Sequence, residues 1–256
     1  MTIVELFDLR GKVAIVTGGN GGLGLGMAIG LARAGANIVI AARNADKTAD
    51  ALAKIEAIGV SARGFNLDIS QEANIKTLVV DTVNDLGRID ILVNNAGIGK
   101  EGHPQNISAE DWDQVLNVNL KAAFLAAKEV YPHMKGQGGG KIINISSVYS
   151  ISSSPWVVAY STSKGGLIQL TKSLAISWAK DNIQVNTILP GWFVTDMTST
   201  IEELNPTYYD LINRRIPSGR WGQPDDLQGA IVFLASAASN FMTGSALTID
   251  GGYSST

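Results

Sequence analysis

Seven short runs of apolar, mostly β-branched residues recur along the chain, each separated from the next by a longer stretch whose apolar positions repeat at helical spacing. The spacing predicts strands at 12–17, 37–42, 61–66, 89–93, 140–146, 183–188 and 246–249, with crossover helices between them. Strand and helix in strict alternation predict an α/β fold, a doubly wound and mainly parallel sheet with helices on both faces. No internal repeat, low-complexity segment or Pro/Ser-rich linker interrupts the rhythm, so residues 1–256 read as a single domain. Ligands of such sheets bind outside the carboxyl ends of the strands. Chemically distinctive residues gather there: a glycine-rich turn after the first strand, Arg43 after the second, Asp68 after the third, Asn94 after the fourth, Ser147 after the fifth and Pro190 after the sixth.

The first strand, Lys12 to Thr17, breaks abruptly into Gly18-Gly19-Asn20-Gly21-Gly22-Leu23-Gly24, and a helix is expected from Gly22 to Ala34. Glycines permit a tight turn and a close approach of backbone N–H groups to a pyrophosphate, which the positive end of the helix favours. The spacing is T-G-x-x-x-G-x-G and not the usual G-x-G-x-x-G, and glycine clusters also occur in plain loops. Position between a buried strand and an apolar-faced helix favours phosphate.

A second pattern lies at Tyr160-Ser161-Thr162-Ser163-Lys164, with Ser147 upstream. On a helix, residues four apart share a face, so the Lys164 ammonium can sit beside the Tyr160 phenol. A cation about 4 Å away is worth roughly 4 kcal/mol at an effective dielectric near 20, enough to bring a phenol from about 10 to about 7. Such a phenol suits general acid–base catalysis on a carbonyl or secondary alcohol. Alone, this spacing equally fits an ordinary helix with one half-buried ring and one solvated amine. Ser147 could belong to the polar loop Ser146 to Ser154, and Asn94 and Asn95 to a turn. Asn119 is a mild misfit in an apolar helical run, because its side chain competes for backbone hydrogen bonds.

These motifs together resemble the short-chain dehydrogenase/reductase family, in its one-domain branch of about this length. The likeness spans the chain and includes Asn94-Asn95-Ala96-Gly97, Val118-Asn119-Leu120, Ile145-Ser146-Ser147-Val148, Pro190-Gly191 and Asp250-Gly251-Gly252. It implies a Rossmann-type fold and an oxidoreductase moving hydride between NADP(H) and a carbonyl or secondary alcohol. It implies Tyr160 as acid/base, Ser147 on the substrate oxygen, Lys164 lowering the Tyr160 pKa and holding the nicotinamide ribose, and Asn119 holding a water that links the lysine to solvent. Asn94 would brace the fourth strand, and Thr195 would hold the carboxamide or phosphates. The implied cofactor contacts are Gly18, Asn20, Gly22, Leu23, Gly24, Arg43, Asp68, Ile69, Asn95, Ala96, Gly97, Tyr160, Lys164, Pro190, Gly191, Phe193 and Thr195. Ala42 stands where an acid would take the ribose hydroxyls of NAD, and Arg43 follows it, which favours NADP with NAD as the alternative. Arg43 also fits a surface arginine stacking on adenine, and Asn20 and Gly21 supply no second cation. Asp68 resembles the residue that meets the adenine amine, or caps the next helix.

Composition narrows the rest. Twenty basic against 23 acidic residues give a net charge of −3 with no like-charge run, so neither nucleic acid nor an anionic membrane is expected as a partner. No signal-type or membrane-length apolar run occurs, and a cytoplasmic protein is expected. Zero cysteines exclude disulfides and thiolate chemistry, and His103 and His133 form no H-E-x-x-H, so no metal is expected. His133 reads as a helix-end residue and His103 as a loop histidine near the substrate side. A substrate lid is expected over 196–219, bearing Met197, Ile201, Leu204, Pro206, Tyr208, Tyr209 and Leu211, with Trp156, Trp192, Val148, Tyr149 and Ile151 as candidate pocket walls. The segments Arg10 to Asn20 and Ile216 to Gly222 look like members acting on gluconate-type sugar acids, with broad ketone or polyol activity as the rival. Lys100, Arg214 and Arg215 are candidates for a carboxylate clamp. Two further readings are an NAD-dependent gluconate or 2-deoxy-gluconate dehydrogenase, and a non-catalytic NAD(P)-binding sensor. The resemblance also implies a homotetramer.

Overall fold

The computed structural model describes residues 2–196 and 198–256, and places all seven apolar runs in one sheet; Met197 of the expected lid lies outside the described residues. The strands are β1 (Val13–Thr17), β2 (Asn37–Ala42), β3 (Ala62–Asn66), β4 (Ile91–Asn94), β5 (Gly140–Ile145), β6 (Ile183–Pro190) and β7 (Ala246–Ile249), in the order β3-β2-β1-β4-β5-β6-β7. Every neighbouring pair is parallel. The strand order reverses between β1 and β4, and Val16 of β1 pairs with Ile40 of β2 on one side and with Val93 of β4 on the other. That crevice is where an open α/β sheet takes its ligand.

Helices α1 (Gly22–Arg33), α2 (Ala45–Glu56), α3 (Glu72–Leu86), α4 (Ala109–Leu116), α5 (Ala122–Gly136), α6 (Val158–Trp178), α7 (Ile201–Leu204), α8 (Pro206–Arg214) and α9 (Gln228–Ala235) make the crossovers. Successive strand residues face opposite layers. In β1, Ala14 and Val16 join Met27 and Leu31 of α1, whereas Val13 and Ile15 join Leu78 of α3 and Leu125 of α5. Both faces are therefore apolar, and each buried aliphatic side chain contributes about 1.5–3 kcal/mol.

Two strand ends differ by two residues from the expected ones, the start of β4 and the finish of β6, and both have a physical reason. β4 starts at Ile91 because the Asp90 carboxylate accepts Val13 N at 3.0 Å and pairs with Arg88 and Lys12, closing the sheet end with side chains. β6 runs on to Pro190, which pairs with Ile249. The polar misfit Asn119 sits inside a π-helical turn, Asn117–Lys121, between α4 and α5. A third, smaller apolar cluster of Val148, Ile212, Ile216, Trp221 and Tyr253 packs α8 onto the loop that follows β5.

Candidate active site

The glycine turn has the shape that a phosphate needs. Gly18 and Gly22 adopt φ of 64° and 49°, left-handed backbone that glycine enters without strain. A Cβ on Gly24 would run into the Gly18 carbonyl, so this glycine lets α1 close on the turn. The N-cap of α1 is Gly21 and no side chain satisfies it, whereas Asn44 caps α2 and Ser108 caps α4. The first N–H groups of α1 are thus left for an anion, and the residues present fit a dinucleotide pyrophosphate. Thr195 lies over this end, its Cβ 3.5 Å from where a Gly22 Cβ would stand.

Thr17 and Asn95 hold the turn in place. Thr17 Oγ1 accepts the backbone N–H groups of Asn95 and Ala96, both at 3.0 Å. Asn95 Nδ2 in return donates to the carbonyls of Thr17 and Gly18. Its amide is therefore engaged in shaping the cradle. Asn94 is buried and donates to Asn144 Oδ1 at 2.9 Å, and Asn144 continues to Thr171 Oγ1, a polar chain joining β4, β5 and α6. Thr17 is the threonine that opens T-G-x-x-x-G-x-G, whereas Asn144 and Thr171 carry no motif signature of their own; Asn144, polar within the apolar run 140–146, is the one signal there that could have drawn attention.

Ser147, Tyr160 and Lys164 come together at the carboxyl end of β5. Ser147 follows the strand in extended conformation, and its Oγ accepts Tyr149 N at 3.1 Å. Tyr160 and Lys164 lie one turn apart on α6, with Lys164 Nζ 5.6 Å from the centre of the Tyr160 ring. Nζ donates to Ile145 O at 2.7 Å, and Ser146 Oγ donates to Lys164 O at 2.7 Å. Lys164 is 4% exposed, and burial pulls its pKa down to about 8. Burial also pushes the Tyr160 phenol up, with the Ser147 hydroxyl pulling the other way. This corrects the expected lowering to about 7: in the protein by itself, loss of solvent around the half-buried phenol outweighs the ammonium, which is aimed at Ile145 O.

Asn119 clamps the loop after β4 against α6. Its Oδ1 accepts Ile98 N at 2.8 Å, and its Nδ2 donates to Ile98 O at 2.9 Å and Ser163 Oγ at 3.0 Å. The π turn turns this side chain out of the helical ladder and toward the loop. Gly97 completes the approach, since a Cβ there would sit 3.4 Å from both Asn119 Oδ1 and Lys164 Nζ.

The far end of the crevice holds Arg43, exposed and in no ion pair among the described residues. Asn20 Nδ2 donates to Asn44 O and Thr48 Oγ1, fastening the glycine turn to the start of α2 beside Arg43. Asp68 Oδ1 accepts Ser70 N at 2.9 Å, an Asx turn ahead of α3 and not its cap, since the N-cap of α3 is Gln71 and has no side-chain bond; Ile69 is buried. Gly191 N donates to Ile249 O, holding the bend after Pro190. Phe193 does not turn its ring to the crevice; it is buried in the core against Gly222, and only its carbonyl serves this region, accepting Thr198 Oγ1 at 2.6 Å. Leu23 packs partly buried against the same core.

On the substrate side, Trp192 sits among Tyr149, Tyr208, Trp221 and Tyr253, with ring centroids 5.2 to 6.4 Å away. Its Nε1–H is buried and has no hydrogen-bond partner among the described residues. His103 packs against Trp156 with the rings tilted by 40° and their centroids 3.9 Å apart, and Gly102 N donates to Trp156 O, tying the loop after β4 to the loop after β5. Of the candidate cations, Lys100 is paired with Asp111 at 3.0 Å, whereas Arg215 reaches Tyr253. His133 lies in the last turn of α5, far from this end.

Comparison with known proteins agrees with this geometry. Residues 18–254 match the family model described as enoyl-(acyl carrier protein) reductase. The chain is 41% identical over 250 residues to 2-dehydro-3-deoxy-D-gluconate 5-dehydrogenase of Formosa agariphila, covering 97% of this chain and 95% of that one. It is 40% identical over 252 residues to gluconate 5-dehydrogenase of Gluconobacter oxydans, covering 98% of each. The crystal structure of a gluconate 5-dehydrogenase from Burkholderia cenocepacia J2315 in complex with NADP and tartrate superposes with a TM-score of 0.94 at 39% identity, over 100% of both chains. A cradle for a dinucleotide, a serine, tyrosine and lysine at one strand end, and near-complete coverage by these relatives place the chain in the short-chain dehydrogenase/reductase family, as an NAD(P)-dependent oxidoreductase acting on a CH–OH group.

Proposed function

We propose that the protein interconverts a secondary hydroxyl and a ketone on a sugar acid, using NADP(H). The observation that carries this is the meeting of Ser147, Tyr160 and Lys164 beside the uncapped end of α1. When bound, the nicotinamide supplies or accepts the hydride. Tyr160 Oη is the proton donor in reduction, and burial keeps it protonated for that role. Ser147 Oγ donates to the same substrate oxygen and fixes its position. Lys164 has used one of three donors on Ile145 O, and the other two are free for the ribose hydroxyls. Asn119 holds Ile98 and Ser163 and so keeps the loop after β4 against the lysine.

Arg43 favours NADP, because an exposed guanidinium with no counter-ion among the described residues, at the end of β2, suits the ribose phosphate. The sugar-acid substrate rests on the relatives named above. Residues 196–219 are the lid of this single domain: α7 and α8 stand over the aromatic cluster, and Asp196 reaches back to Lys47 of α2 at 2.6 Å. The protein would work as a cytoplasmic homotetramer, a reading supported by Phe124 on α5, Ile176 on α6 and the edge strand β7, all with exposed residues. Light scattering that gives a monomer would overturn it.

The decisive assay follows NADPH and NADH oxidation in parallel against keto sugar acids and neutral ketones, with Tyr160→Phe as the comparison. Selective NADPH turnover that disappears in Tyr160→Phe, while NADPH still binds, is the expected result. Retained turnover removes Tyr160 from its role, and faster NADH turnover removes NADP.

A further inference from the structure

Beside the serine that faces the substrate lies a cavity of about 270 Å³ between the loop after β5, helix α8 and the C-terminal residues. Its polar lining is rich in donors. Arg215 caps α8, with its guanidinium 4.2 Å from the centre of the Tyr253 ring and Nη1 donating to Tyr253 Oη at 3.0 Å. Tyr149 and Tyr208 meet hydroxyl to hydroxyl at 3.3 Å, and the Arg215 charge is felt at the Tyr149 phenol. Burial pushes that phenol up, so it stays protonated and able to donate. The unpartnered Trp192 Nε1–H belongs to the same ring cluster. No carboxylate pairs with Arg215 among the described residues, whereas Arg10, Arg88 and Arg220 each hold an aspartate.

The imbalance indicates the ligand. A guanidinium has five donors and no acceptor, and here one donor is engaged and nothing anionic answers the charge. Stacking on Tyr253 fixes the plane of the fork, the pre-organisation that makes arginine suited to binding a carboxylate through two parallel bonds. The phenols and the Ser152 to Ser154 stretch add hydroxyl partners of the kind a polyol chain needs. Tyr149 joins the two places: its backbone N–H is on Ser147 Oγ, and its ring reaches the arginine's side of the cavity.

We propose that Arg215, steered by Tyr253, binds the carboxylate of the sugar acid while its carbonyl lies between Ser147 and Tyr160. This rests on the sugar-acid reading and adds the end of the substrate each residue holds. Arg215 is then a specificity residue that selects acids over neutral sugars of the same length.

The test compares kcat/KM for 5-keto-gluconate and for a neutral ketohexose in the wild type, Arg215→Gln and Arg215→Lys. Gluconate binding is followed separately by tryptophan fluorescence. Wild type is expected to prefer the acid. In Arg215→Gln that preference falls about ten- to a hundredfold, carried by KM, and the gluconate dissociation constant rises by a like factor. Arg215→Lys lies between, since it keeps the charge but loses the fork. NADPH titration of each variant establishes that the fold is intact. A wild-type preference that survives Arg215→Gln overturns the proposal and leaves the sugar-acid reading standing. A wild type without preference for acids removes the sugar-acid reading itself.

Discussion

Strand β5 has a buried lysine ammonium at each end, and only one of the two stands at the proposed site. At its start, Lys141 is 8% exposed and hydrogen-bonds Asn240 Oδ1 at 2.9 Å and Ser239 Oγ at 3.3 Å. At its finish, Lys164 is 4% exposed and donates to Ile145 O. Burial alone brings both to about 8. A depressed lysine pKa therefore records desolvation and does not by itself mark a catalytic site. What separates the two ends is company: Lys164 has a phenol one turn away, Gly97 and Asn119 alongside and an uncapped helix across the crevice, whereas Lys141 has a turn before β7.

The largest effect that can break this comparison is on turnover. Lys164→Ala should lower kcat about 10²- to 10⁴-fold, the range for a group that assists proton transfer, and weaken NADPH binding as well. Lys141→Met should keep kcat within about twofold. The measurement is steady-state NADPH oxidation with a fluorescence titration of cofactor. A comparable loss in both variants would mean that the two lysines matter only to the fold.

Stability against pH comes next, and here the two ends should behave alike. Each lysine titrates near 8 in the folded chain and near 10.4 when unfolded. Between those values the unfolded chain binds the extra proton, so unfolding free energy rises with pH across that window. The cost of burial is fully present below about pH 8 and gone above about 10.4. Each lysine contributes about 3 kcal/mol to the rise. Denaturant titrations from pH 7 to 10.5 should show it, and Lys141→Met should remove about half. A flat profile in the wild type would mean that neither ammonium is held as dry as its surroundings indicate. The kinetic limb differs: kcat/KM for reduction should fall as pH passes about 8, in the wild type and Lys141→Met alike, because deprotonating Lys164 removes the cation beside Tyr160.

The sequence made one end of β5 legible and left the other silent. Tyr160 and Lys164 are four residues apart, Ser147 directly follows an apolar run, and Asn119 is a polar interruption whose cause turned out to be a π turn. These are local signals. Lys141 meets partners 98 and 99 residues away, so nothing near it in the chain announces its burial. Arg215 likewise gains its meaning from Tyr253, 38 residues on, and from the loop after β5. The direction of the Tyr160 shift is hidden from the sequence for the same reason. Helical spacing gives the proximity of a cation, but how much water surrounds the phenol depends on elements that spacing does not describe.

The smallest effect sharpens the comparison most finely, by altering a neighbour of each lysine and leaving the lysine in place. Ser146 Oγ donates to Lys164 O from within the buried site, and Asn240 accepts from Lys141 near the surface. Ser146→Ala and Asn240→Ala should each cost about 1 kcal/mol of stability, the net value of one hydrogen bond. Only Ser146→Ala should also lower kcat, by a few-fold, because it frees the turn of α6 that sets Lys164 against Tyr160. Thermal melts and steady-state rates of the two variants give both numbers. Equal melting shifts with unequal rates place the function in the geometry around Lys164; a kcat loss in Asn240→Ala would extend the catalytic network along the whole of β5.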